Sequence, residues 1–284
     1  MKKIIFVLIV VLMFVFTGCA SKVSEESAAG KVENKGELIS EYYSKFDKLM
    51  LGTVWPITEY ENYQGSRSSL NNVLTKIDKA EAGVKELEGI VGRLEKASIE
   101  KEFVSVNKEY LGLIKQLLDK HSKLYNHDLD LAELNAAGEK DNKLEELLLG
   151  VTKCTCGEME CDGYYTSFMN YQDSAVKTFA DMGKKYGISD YAEISKDLEE
   201  EKNVIAKHMP GLIRKSKDYG QRRCYQINEP YAEFFSELDK IERISDDEID
   251  AAIGNKLAIP IDNLINDIDA LSVDFDRVRA EVEG

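Results

Sequence analysis

The sequence predicts an all-α fold, an elongated antiparallel bundle of long amphipathic helices. Three observations predict it: apolar residues recur at spacings of three and four along most of the chain, strand-type alternation is scarce, and the breaks between periodic stretches are short. With 43% hydrophobic and 9% aromatic residues, the 284-residue chain carries enough apolar side chain to close a core. Its 37 basic and 52 acidic residues leave a formal charge of −15, which excludes a nucleic-acid binder of the usual basic kind. Four prolines exclude a proline-rich stalk.

In chain order, the folded body is expected to begin near Leu38 with a tyrosine-rich helix running through Tyr42, Tyr43 and Phe46 to Asp47. Residues 68–97 follow with a heptad seam of Leu70, Val73, Ile77, Ala80, Val84, Leu87, Val91 and Leu94. The charged residues of that stretch, from Lys76 to Glu88, lie off the seam and form a solvated face. Gly83, Gly89 and Gly92 argue against an intermolecular coiled coil, each weakening an isolated helix by about 1 kcal/mol relative to Ala. A short turn at Ala97-Ser98 leads to a helix with Ile99, Phe103, Val106, Tyr110, Leu113, Leu117 and Leu124 on one face.

Residues 164–186 place Tyr165, Phe168, Ala175, Phe179, Met182 and Tyr186 on one face and stop at Gly187, a good helix terminator. Ser189-Asp190 opens the next helix, with Ile194, Leu198, Ile205 and Met209, until Pro210 kinks or ends it. Another helix is expected from Asn228, with Pro230 in its first turn and Phe234, Phe235, Leu238 and Ile241 on its apolar side. Ser245 followed by Glu248 matches a capping box. The last seam runs Leu257, Ile261, Leu264, Ile268, Leu271, Phe275, Val278, Val282, bent at Pro260. The two heptad seams, at opposite ends of the body, are expected to pair.

The amino terminus reads differently. Two lysines precede Ile4–Phe16, an unbroken apolar run too short to span a bilayer, and Thr17-Gly18-Cys19 follows. This leader resembles the lipobox of bacterial lipoproteins, with Phe16 standing where aliphatic residues are usual. The resemblance implies that residues 1–18 are a signal peptide and that Cys19 receives diacylglycerol and becomes the new amino terminus. Losing residues 1–18 removes two lysines and no acid, moving the charge from −15 to −17, so an anionic leaflet would repel the body. The membrane contact is therefore assigned to lipid alone. Residues 19–37, polar and charged, read as a flexible tether and residues 38–284 as the helical bundle domain. Through Leu38–Asp47 the body faintly resembles the YiiG-type helical lipoproteins, a family that carries no catalytic residue across.

The body holds Cys154, Cys156, Cys161 and Cys224. Outside the cytoplasm such a set favours disulfides, with Cys154 and Cys156 pairing to Cys161 and Cys224 in one order or the other. A four-thiolate zinc site is the alternative, for which half the usual knuckle pattern is present, and free thiols are a third reading. His121, His127 and His208 lack metal-ligand spacing and are assigned surface or helix-end roles. No hydrolase, zincin, P-loop, dinucleotide or calcium-loop string occurs, so neither enzyme activity nor a cofactor is expected. Residues 55–65 read as a loop in which Trp55, Tyr60 and Tyr63 form a candidate ligand surface, or in which Trp55 closes the bundle end. The expected function is an extracytoplasmic, membrane-anchored lipoprotein of the inner or outer envelope membrane. Its helical body would be a structural module or bind an envelope protein. The alternative is small-ligand or metal binding through the Cys154–Cys161 loop or the Trp55–Tyr63 loop.

Overall fold

In the computed structural model, which describes residues 34–58 and 66–283, every element is a helix and no strand is present among the described residues. The leader, residues 19–33 of the expected tether with Cys19, and Tyr60 and Tyr63 lie outside those residues, while the tether's last residues, 34–37, form the cap and first turn of a helix. Asn34 caps the first helix, α1 (Lys35–Leu49), by accepting from the Gly36 N–H at 3.1 Å. That start precedes Leu38, which is the first buried side chain among the described residues. The chain continues through a π turn, Met50–Val54, into the short α2 (Trp55–Thr58), so Trp55 is helical and not in a loop. After α3 (Arg67–Lys96), capped by Ser66, comes α4 (Lys101–Asp141), whose 41 residues span about 60 Å.

Beyond it lie α5 (Leu144–Thr152), α6 (Cys161–Tyr186) and α7 (Asp190–Tyr219). A 3₁₀ stretch over Gln221–Ile227 leads to α8 (Asn228–Leu238), then α9 (Asp246–Ile253). A second π turn, Gly254–Ala258, opens α10 (Ile259–Glu283). Gly187 ends α6 in the left-handed region at φ +70°, and the Ser245–Glu248 capping box forms as its spacing predicts.

Helix α4 is the spine. The seam of α3 packs along it antiparallel, with ion pairs Glu95–Lys108 near one end and Arg67–Glu133 near the other. On another side α10 packs against α4, so the two heptad seams both pack mainly on the same helix. All eight predicted seam residues of α3 are buried. The face of α4 is wider than the sequence suggested: Val106 and Leu113 sit at its edge, while Asn107, Leu111, Ile114, Leu118, His121 and Tyr125 are buried. A helix covered by α3, α10 and α6 has no single seam to show.

Helix α1 closes this half with a cluster of rings. Phe46 stacks on Phe275 with centroids 4.5 Å apart, and Tyr43 meets the same ring edge-on at 5.8 Å. The Arg279 guanidinium lies over Tyr43 at 4.5 Å and donates to both Asp47 carboxylate oxygens at 3.0 Å. A second core joins α5, the start of α6, the end of α7 and α8, around Leu147, Val151, Phe168, Ile205, Met209 and Phe234.

Of the kink or stop expected at Pro210, the stop is corrected: α7 runs on to Tyr219. An interior proline costs roughly 3 kcal/mol, and burial of Met209, Leu212 and Ile213 beside it offsets that. Helix α8 stops at Leu238, leaving Ile241 outside. Pro260 lies just after the π turn, inside one helical run that continues from α9 through α10, and a proline and a π turn are both places where helices bend.

Candidate functional site

The four cysteines gather at the second core. Cys154 lies at disulfide distance from Cys224 and Cys156 from Cys161, with Cα–Cα separations of 5.6 and 5.3 Å. Of the two orders left open by the sequence, this one ties α5 to the segment after α7. Helix α5 approaches closely because residue 150 is glycine: a Cβ there would fall 2.6 Å from Cys161 Sγ. Buried Ser216 locks the arrangement, donating through Oγ to the Gly150 carbonyl at 3.2 Å and accepting from the Cys156 N–H at 3.3 Å. Cys154, Cys156 and Cys161 are buried, while Lys153, Gly157, Glu158 and Glu160 of the turns between them are exposed, so this is a surface segment whose sulfurs face the core. Among the described residues no group of three His, Cys, Asp or Glu side chains could hold a metal ion.

Trp55 is half-buried and packs against the larger core. Its neighbour Ile57 is fixed by the buried Tyr125 hydroxyl, which donates to the Ile57 carbonyl at 2.7 Å. Trp55 thus sits near the closing end of the first core, and its two proposed partners are not among the described residues.

The histidines depart from their expected surface roles. His121 and His127 are both buried within α4. His121 stacks on Tyr125, and neither of its ring nitrogens has a hydrogen-bond partner among the described residues. Burial pushes it down from 6.5 to about 4. His127 is fully engaged: Nδ1 lies 3.0 Å from Asp128 Oδ1, and Nε2 meets the hydroxyl of Tyr191. With Nδ1–H directed at the carboxylate, Nε2 accepts from the phenol. Burial raises the Tyr191 phenol far above its ordinary value, so it stays neutral. His208, at the far end of α7, lies 3.0 Å from Glu237 of α8.

Tyr191 also floors an apolar cleft. This cleft of about 410 Å³ opens between α4, α6, α7 and α9. Its walls are Leu131 of α4, Phe179 of α6, Ile194 and Leu198 of α7, and Ile249 and Ile253 of α9, with Ile244 at the mouth. Each of these seven is only partly buried. Phe179 and Tyr191 have ring centroids 5.5 Å apart. The rim is charged: Arg243 pairs with Glu201 at 3.1 Å, and Asp197 and Asp250 stand beside them. A volume of this size and an apolar lining with a few polar groups at the edge fit a small organic ligand.

No spacing or motif in the sequence points to this cleft directly. Ile194 and Leu198 read as core positions, and they do lie on the inward side of α7, but the element that should cover them is the short α9. That helix has no fully buried residue. Comparison with protein-family models, curated proteins and solved structures finds no match to the chain.

Proposed function

We propose that the protein is a lipid-anchored extracytoplasmic lipoprotein whose helical body is a structural or protein-binding module of the cell envelope. The observation that carries this reading is the leader, two lysines and a short apolar run ending in Phe16-Thr17-Gly18-Cys19. Cysteine placement in the body supports it: four thiols gathered into two pairs at disulfide distance suit an oxidising compartment. No described helix is long and apolar enough to cross a membrane, and lipid on Cys19 would supply the anchor. Two or three acyl chains hold a domain on a bilayer where one does not, at about 0.8 kcal/mol per buried CH₂. On this reading the module acts by binding, and the buried His127–Tyr191 pair serves internal hydrogen bonds.

The test is fractionation of cells expressing the wild type and Cys19→Ser. The wild type is expected in the membrane fraction and the variant out of it. Continued membrane association of the variant, with its leader uncleaved, overturns the reading.

A second reading, small-ligand binding, is favoured by the cleft between α4, α6, α7 and α9. It moves the expected ligand surface away from both the cysteine stretch and the Trp55 region.

A further inference from the structure

The charge around the cleft is lopsided. Arg243 is its one cation and is paired with Glu201. Asp197 and Asp250, on α7 and α9, flank the mouth with no ion-pair partner among the described residues. The rim therefore carries two uncompensated negative charges over an apolar interior. Inside, Phe179 presents a partly exposed ring, whose electron-rich face attracts positive charge. The Tyr191 hydroxyl is turned away to His127, so the floor offers ring and aliphatic surface and no free donor.

Apolar walls, an aromatic face and unpaired carboxylates at the mouth are the chemistry that recognises an organic cation. We propose that this cleft binds a small amphiphilic cation, an amine or quaternary ammonium on an apolar body, with its charge between Asp197, Asp250 and the Phe179 ring. This assignment rests on the small-ligand reading given above and names its ligand class. An anionic ligand would have to compete with Glu201 for Arg243 and enter past two carboxylates. The protein's charge of −15 favours approach of a cation from a distance as well.

The experiment uses the full chain in a neutral maltoside detergent and three probes of one aromatic size: benzyltrimethylammonium, benzyl alcohol and benzenesulfonate. Affinity is read by calorimetry, and location by methyl NMR of Ile194, Ile249 and Ile253. The expected result is that the cation binds about tenfold more tightly than either other probe and moves these methyl signals. Asp197→Asn combined with Asp250→Asn, both at the rim, should lower that affinity about tenfold with unchanged circular dichroism. If the neutral or anionic probe binds as tightly as the cation, or the double variant binds the cation unchanged, the cation assignment is wrong while the ligand reading stands. If no probe moves the cleft methyls, both fail.

Discussion

Replacing His121 tests the buried polar site at the middle of α4. His121 is 2% exposed, stacked on Tyr125 and unpartnered at both ring nitrogens. Its folded-state value of about 4 lies some 2.5 pH units below the ordinary 6.5, with burial as the sole cause. Above pH 6.5 the ring is neutral in both the folded and the unfolded chain and titration contributes nothing. As pH falls through 6.5 the unfolded chain takes up the proton first, and folding loses about 1.4 kcal/mol per pH unit. The loss levels off near pH 4 at about 3 kcal/mol, once the folded ring also protonates. His121→Leu removes that term and the two unsatisfied nitrogens. Urea denaturation at pH 7 and pH 4.5 measures it: the variant should gain about 2–3 kcal/mol relative to wild type on going from the higher to the lower pH. Carboxylates titrate alike in both proteins and cancel in the difference. An unchanged wild-type-to-variant gap at the two pH values would refute the reasoning.

The two cysteine pairs should differ in worth, because they close chain segments of 70 and 5 residues. Loop-closure entropy assigns about 4.4 kcal/mol to Cys154–Cys224 and about 2.1 kcal/mol to Cys156–Cys161, so the double serine variant of the first pair should melt lower than that of the second. Equal melting temperatures would count against this. Gly150→Ala forces a methyl group to 2.6 Å from Cys161 Sγ and should destabilise by about 1–3 kcal/mol, measured by denaturant midpoint. Pro210→Ala restores an interior hydrogen bond of α7 at an exposed position and should stabilise by up to about 3 kcal/mol on the same assay.

How much of this could be read beforehand follows from how many sides of each element are covered. The seams of α3 and α10 were legible because each helix buries one face and solvates the other. The face of α4 was broader than its best heptad because three helices cover it, and the polar Asn107 and His121 on that face broke the apolar period. Local signals carried through where they act locally, as with Gly187 and the Ser245–Glu248 box. Pro210 left a kink or a stop open because the proline rule prices one residue, whereas the buried side chains on either side of it carry the helix through. The cysteine set was legible and its pairing was not, since only the fold brings Cys224 back to Cys154. The cleft was illegible for the same reason: Leu131, Phe179, Ile194 and Ile249 come from four helices, and each alone reads as an ordinary core residue.

Lipid on Cys19 and oxidised cysteine pairs both change the mass of the chain, and the intact mass of the native product, measured without reductant, tests the two features together. The mass expected is that of a chain beginning at Cys19, heavier by a diacylglyceryl group and lighter by four hydrogens for the two cysteine pairs. A mass that retains residues 1–18 without lipid, with all thiols free, would contradict it.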